Sequence, residues 1–336
     1  MAQALPQYQS GAPAVLNDST TLDLTQAQGA FAQLSSQKLS NVYGCPIAIK
    51  EIRFFAQTYP IAGPLVTNKQ FSAYDFGSIL TAFVNANNVN LMQNPVHLRS
   101  LGTLLQSNLT WVQQHQTLHG TLGYYYSSTF YRWIFARPLF LPRQGSLDIR
   151  LAADPIALRP FDIGVIAPTV KIDVAAVGTL QPDLQGMMAP YPYVAEFAPP
   201  GMSTAGGGVP TFAMGNDPIF RNVFANPLLL SRLTASLYNS VGPIGHSNSG
   251  TDQLSLNPDD IVARIWDSHG NNISGYGGGV ESPLGALVNP QDGNWYIERQ
   301  LNQYEWLNVE LYAKTGITTW FPRVAFHGEH MQLFAP

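Results

Sequence analysis

Charge is scarce in this sequence. Asp, Glu, Lys and Arg make up 11% of its 336 residues, against roughly 25% in a typical soluble domain. Asn, Gln, Ser and Thr stand where charged side chains usually do. Two readings fit. One is an ordinary β-rich protein with a polar, uncharged surface. The other is a surface covered by neighbouring subunits, because charge is depleted at interface cores. The 17 Lys and Arg residues are scattered and the net charge is −4, so no basic stripe exists to track a nucleic acid, and no specific nucleic-acid binding is expected. A single cysteine, Cys45, excludes an intramolecular disulfide framework. No window approaches 18 uninterrupted apolar residues, so no membrane-spanning helix is expected. Met1 to Gln7 carry neither a positive n-region nor an apolar h-region, so no secretory signal is expected and folding in a cytoplasm is.

Catalytic motifs are missing as well. There is no Gly-x-Ser-x-Gly elbow. His115 and His119 are four apart but lack the glutamate of a metalloprotease helix. Gly275-Tyr-Gly-Gly-Gly279 lacks the Lys-Ser/Thr ending of a phosphate loop, and like Gly206–Gly208 it reads as surface loop. His327-Gly-Glu-His330 brings two imidazoles and Glu329 close in sequence. His327 and His330 are therefore weak metal candidates, with polar turn residues the expected reading. The carboxylate pair of a glycoside hydrolase is spaced in three dimensions and leaves no linear signature. The aromatics from Tyr124 to Trp133 fit either a sugar platform or strand packing, the commoner use. No enzyme and no cofactor are expected.

What the chain does contain is alternation. Arg137 to Leu151 reads as strand, turn, strand: Leu139 and Leu141, a turn from Pro142 to Ser146, then Leu147, Ile149 and Leu151 alternating with Asp148 and Arg150. Leu307, Val309 and Leu311 repeat that pattern near the C-terminus. Ile47, Ile49, Ile52 and Phe54 mark a strand in which the step of three from Ile49 to Ile52 predicts a bulge. Ile172 and Val174 mark another. The expected core residues are Ile47, Ile49, Ile52, Leu147, Ile149, Leu151, Ile172, Val174, Leu307, Val309 and Leu311. Residues 76–110 are ambiguous, with a short helix expected at Phe76–Val84.

Around these strands the composition predicts four segments. Residues 1–40 read as an N-terminal arm, helical in part from Leu22 to Leu34 with Asp23 or Thr25 as N-cap. Residues 41–180 form a first β-module. Residues 181–226, rich in Pro and Gly, form a linker. Residues 227–336 form a second β-module.

The two modules can be laid over each other. Pro46, Ile47, Ile49 and Ile52 match Pro227, Leu228, Leu230 and Leu233 at an offset of 181 (227 − 46). Leu147, Ile149 and Leu151 match Leu307, Val309 and Leu311 at 160 (307 − 147). Ile172 and Val174 match Val324 and Phe326 at 152 (324 − 172). Tandem modules with short strands and long loops predict an all-β chain of two jelly rolls or β-sandwiches.

A Gln/Ala-rich arm, tandem β-modules, a linker between them and few charges together resemble the double jelly-roll capsid proteins of icosahedral, often membrane-containing, bacteriophages. The resemblance implies two jelly rolls side by side, a pseudo-hexagonal homotrimer, and an arm directed toward the particle interior or an internal membrane. It implies a virion protein made in the host cytoplasm, whose partners are itself and other virion proteins. Apolar edges would be buried in the trimer, with arm and linker tying neighbours together. The alternative is a carbohydrate- or receptor-binding β-sandwich, such as a phage spike or tail component. A glycan-processing enzyme on the same scaffold is a third reading.

Overall fold

Alternating side chains become strands almost everywhere they occur. A computed structural model describes residues 9–24, 32–58, 77, 79–101, 128–154, 169–197, 212–214, 220–239, 261–274, 282–283, 294–313 and 320–335. The first module holds β1 (Pro13–Asp23), β2 (Ala32–Ser40), β3 (Ile47–Thr58), β4 (Leu80–Ala86), β5 (Val89–Asn90), β6 (Val96–His97), the one-turn helix α1 (Leu98–Leu101), β7 (Ser128–Leu141), β8 (Ser146–Ala153) and β9 (Thr169–Leu180). The second holds β10 (Met187–Phe197), β11 (Phe212–Met214), β12 (Phe220–Arg221), β13 (Leu228–Asn239), β14 (Ile261–Asp267), β15 (Ser282–Pro283), β16 (Asn294–Leu301), β17 (Trp306–Ala313) and β18 (Trp320–Phe334).

The first module's sheets run β1-β9-β3-β7 and β2-β8-β4-β5, with β6 also on β4. The second module's run β10-β18-β13-β16 and β11-β17-β14-β15, with β12 also on β17. Position by position the four-strand paths of the two modules are the same, and only the short side strands β6 and β12 differ in the strand they join. Each module is a jelly roll, two antiparallel sheets packed face to face. All eleven expected core residues are at most 1% exposed, because each sits on the inward side of its pleat.

The repeat extends to local detail. β3 carries a bulge between Ile49 and Glu51, and β13 carries one between Leu230 and Arg232, again 181 residues on (230 − 49). Opposite each bulge stands a glycine, Gly178 on β9 and Gly328 on β18. A Cβ there would strike the bulged strand: the Ala48 carbonyl in the first module, and the Leu229 carbonyl at 2.7 Å in the second. Before each bulged strand lies the same short motif, Asn41-Val-Tyr-Gly-Cys-Pro46 and Asn222-Val-Phe-Ala-Asn-Pro227. The Asn41 amide donates to the carbonyls of Cys45 (3.0 Å) and Pro142 (2.9 Å) and accepts from the Tyr43 N–H (3.0 Å). Asn222 donates to the carbonyls of Asn226 and Leu301 (both 3.0 Å) and accepts from the Phe224 N–H (2.9 Å). Each amide ties the turn entering the bulged strand to the turn after β7 or β16.

Several expectations change. The arm is shorter than residues 1–40: β1 and β2 are strands of the first sandwich, and residues 25–31, the middle of the expected helix, lie outside the described residues. Deleting residues 2–20 would thus remove most of a strand. The linker is shorter too. Only residues 181–186 separate β9 from β10. Pro190 and Pro192 do not break β10, because it is the edge strand of its sheet. The expected short helix at Phe76–Val84 gives way, from Leu80, to β4. β7 and β8 are no hairpin, since they belong to different sheets and the turn between them crosses the sandwich. The last repeat match is out by two residues. Ladder positions place Val324 opposite Ala235 and Val174 opposite Phe54, so Val324 corresponds to Val174 at an offset of 150 (324 − 174). A two-residue slip preserves alternation, so the pattern alone does not reveal it.

Candidate functional site

β18 is buried on both faces from Arg323 to His330, and β10 from Ala189 to Glu196. One face of each closes the second module's own core, with Tyr193, Ala195, Val324 and Phe326. The other packs against the first module, whose core cluster takes in Val194 and Ala325. The seam between the modules is thus as buried as either core, which is unusual for an interface between domains of one chain.

Backbone bonds staple it. Gln93 N–H donates to the Val194 carbonyl (2.8 Å), and Val194 N–H to the Leu91 carbonyl (3.0 Å). The Asn94 side chain brackets residue 196, donating to the Glu196 carbonyl (2.6 Å) and accepting from its N–H (3.0 Å).

Beneath this lies a buried charged network. His97 on β6 puts Nδ1 2.7 Å from Glu196 Oε2 on β10, and Nε2 3.0 Å from Asp154 Oδ2 just after β8. The His97 N–H also donates to Glu196 (2.8 Å), and the Ser100 hydroxyl of α1 donates to its other oxygen. Arg323 of β18 donates to Asp154 (3.3 Å). Burial alone would raise the Glu196 carboxyl, but the His97 charge and hydrogen bond, with the Arg323 charge and the Ser100 bond, hold it below the usual carboxylate range. Nearer the rim, Arg137 of β7 grips Glu329 of β18 through its N–H (3.0 Å) and its Nε (2.6 Å).

Serine, histidine and two carboxylates are the residue types of a hydrolase relay, but they lack its geometry. Ser100 donates to Glu196 rather than to His97, and all of these groups are buried. What the arrangement can do is hold two modules in one register, since a buried ion pair tolerates little displacement. A cleft of about 200 Å³ opens beside the seam between Trp133–Ala136 of β7, Pro192 and Val194 of β10, and His327 and Glu329 of β18.

His327 and His330 lie in β18, not in a turn, and three positions apart on a strand they face opposite sides. His327 faces the seam, with Nε2 3.1 Å from both the Ser100 carbonyl and the Thr234 hydroxyl. Burial, reinforced by the nearby Arg232 charge, holds its pKa well below the usual histidine value. His330 stacks on Phe224 (centroids 3.5 Å apart, planes 9° apart) with Tyr191 and Tyr193 alongside. Neither of its ring nitrogens has a hydrogen-bond partner among the described residues, and burial lowers its pKa to about 4. Among the described residues no group of three His, Cys, Asp or Glu is placed to hold a metal.

Tyr131, Trp133 and Phe135 are buried on β7. Tyr124–Tyr126, His115, His119, Gly206–Gly208 and Gly275–Gly279 lie outside the described residues. The seam residues His97, Ser100, Asp154, Glu196 and Arg323 were not expected from the sequence. Their signal is the scarcity of charge itself: in a chain this poor in it, Arg323 and Glu329 inside one strand mark a face that is not simply solvated.

No protein-family model and no curated protein matches this chain. Solved structures do. Over 100% of both chains it is similar to the PBCV-1 virus capsid quasi-atomic model, at 8% identity and a TM-score of 0.50. The structure of Sulfolobus Turreted Icosahedral Virus matches 95% of this chain and 91% of its own at 12% identity and a TM-score of 0.44. PNGase F, a glycosylasparaginase from Flavobacterium meningosepticum, matches 94% and 96% at 13% identity and a TM-score of 0.30. Only the first is close enough to bear on architecture, and at that identity the likeness is one of fold. Two jelly rolls of one topology, fused along a buried seam, give this chain a double jelly-roll fold, which it shares with the PBCV-1 virus capsid model.

Proposed function

We propose that this chain is a viral capsid subunit that self-associates into trimers, which tile an icosahedral shell. The observation that carries the reading is the match over the full length of both chains to a viral capsid, together with a seam that makes two jelly rolls one rigid block. In this reading each chain supplies two of six similar positions around a ring, and the seam's work is mechanical. It fixes the angle between the modules so that the ring closes. The arm of this reading, directed toward the particle interior or an internal membrane, is confined to residues before Gly11, whose N–H donates to the Leu180 carbonyl (2.9 Å). The other partners are virion proteins, the location is the virion, and synthesis is in the host cytoplasm. Scarce surface charge supports extensive subunit contact.

Negative-stain electron microscopy of the purified full-length chain tests this. Expected are three-fold particles of hexagonal outline, or closed shells. A field of isolated two-lobed monomers at every concentration contradicts it.

A further inference from the structure

The sheets β1-β9-β3 and β10-β18-β13 are repeat equivalents, but different things lie on their outer faces. Gly178 and Gly328 anchor the correspondence at an offset of 150 (328 − 178), so Ala175, Val177 and Thr179 correspond to Ala325, His327 and Glu329. One ladder further out, Thr179 stands opposite Pro13 and Glu329 opposite Pro192. Val177 stands opposite Val15 and His327 opposite Val194. Pro13 and Val15 therefore correspond to Pro192 and Val194, both at 179 (192 − 13). The same two residue types recur at the same two positions.

Val194 is 1% exposed, beside β7 and under the connection from Leu91 to His97, whereas Val15 is 47% exposed. Around Val15, Pro13 is exposed and Ala175, Val177 and Thr179 are half-buried. The covering element has an equivalent too. β7 corresponds to β16, with Trp133 opposite Ile52 and Trp295 opposite Leu233. β16 pairs only with β13 among the described strands, and its Glu298 and Gln300 are exposed. Among the described residues, one chain thus carries an uncovered receiving face on its first module and an unused covering strand on its second.

We propose that the face formed by Pro13, Val15, Ala175, Val177 and Thr179 receives β16 of a second copy of this chain, as β10 and β18 receive β7 within it. The proposal deepens the capsid-subunit reading and rests on it for self-association. The contact is head-to-tail, so each copy keeps one face and one strand free until a ring closes.

Static light scattering of the full-length chain across concentration, with Val15→Arg and Ala175→Arg beside the wild type, tests it. The expected result is a wild type that assembles and two variants with self-association weakened at least tenfold, while circular dichroism melts stay unchanged. His269→Arg, at an exposed turn, should assemble normally. Variants that assemble like the wild type overturn this interface and leave the subunit reading standing. A wild type that never associates overturns the subunit reading and the interface with it. A second test does not depend on losing assembly. Arg137 meets Glu329 inside the chain from the irregular stretch of β7 between Ile134 and Leu139, whose counterpart in β16 is Ile297 and Glu298 between Tyr296 and Arg299. Ile297 packs inward and Glu298 is exposed, so the pair set against each other between copies is Glu298 with Thr179. The T179C/E298C double variant should give a disulfide ladder of dimers and trimers on a non-reducing gel, and neither single variant should. An assembling double variant without the ladder overturns the proposal.

Discussion

On the outer face of its inner sheet the second module carries Glu196, Arg323, His327 and Glu329, all buried against the first module. At the equivalent positions the first module carries Asn17, Asp173, Val177 and Thr179, none of them buried. The backbone scaffolds are copies, down to the bulge and its facing glycine, while the chemistry of the faces has diverged. A face covered permanently can hold charge, provided every charge meets its partner as the chain folds. A face that first stands in water and is later covered does better with short, neutral or apolar side chains, which lose little on desolvation. Val177 and Thr179 fit that, while Asp173, beside Lys171 (3.4 Å), lies outside the five residues proposed for the contact. The difference fits an internal seam built for fixed register and, as proposed above, an opposite face that meets a second copy of the chain.

The sharpest way to break this comparison is to remove one charge from the network. Glu196→Ala leaves His97, Asp154 and Arg323 in imbalance and should destabilise the fold by about 3–5 kcal/mol. Asn17→Ala at the equivalent exposed position should change it by less than about 0.5 kcal/mol. Urea unfolding of both variants decides, and equal effects would mean that the seam network does not hold the modules together.

Acid should open the second module next. His330 has a folded pKa of about 4, below the ordinary 6.5. Between those values the unfolded chain binds more protons than the folded one, so stability falls as pH drops from about 6.5 to 4. The loss is at most roughly 3 kcal/mol from His330, and the lowered pKa of His327 acts in the same direction. Glu196, held below the usual carboxylate range, adds its loss at lower pH still. The second module, which holds both histidines, should open first, as read by amide hydrogen exchange at pH 7 and pH 4.5. His330→Phe should flatten much of the dependence, and an unchanged pH profile in that variant would exclude His330 as its source.

A smaller effect sharpens the likeness rather than the difference. Asn41→Ala and Asn222→Ala each remove three hydrogen bonds from a buried turn and should each cost about 2 kcal/mol. Thermal melts of the two should agree to within about 0.5 kcal/mol. A large disparity would show that the two turns no longer contribute equally to stability.

Much of the fold was legible because buried strands announce themselves by alternation. Leu147, Ile149 and Leu151 on β8, and Leu307, Val309 and Leu311 on β17, are plain in the sequence, as is the step of three at the β3 bulge. β1 was not legible. Its outward positions are Pro13, Val15, Asn17, Ser19 and Thr21, an edge strand too polar and too proline-marked to stand out from a flexible arm. β10 was hidden the same way, its prolines being harmless only because it lies at an edge. The repeated Asn-Val-Tyr/Phe-x-x-Pro motif was present in the letters, yet it lies before the apolar run that draws attention. The seam was illegible for a deeper reason: which face of β18 meets a second module depends on how two complete sandwiches dock, and no periodicity within one strand encodes that.

The most direct test of the account is the molar mass of the wild-type chain in solution, measured by light scattering on a sizing column. Self-association through the uncovered face of the first module predicts a species of three times 36.7 kDa, or larger closed assemblies. A single species of 36.7 kDa at every concentration reached would contradict it.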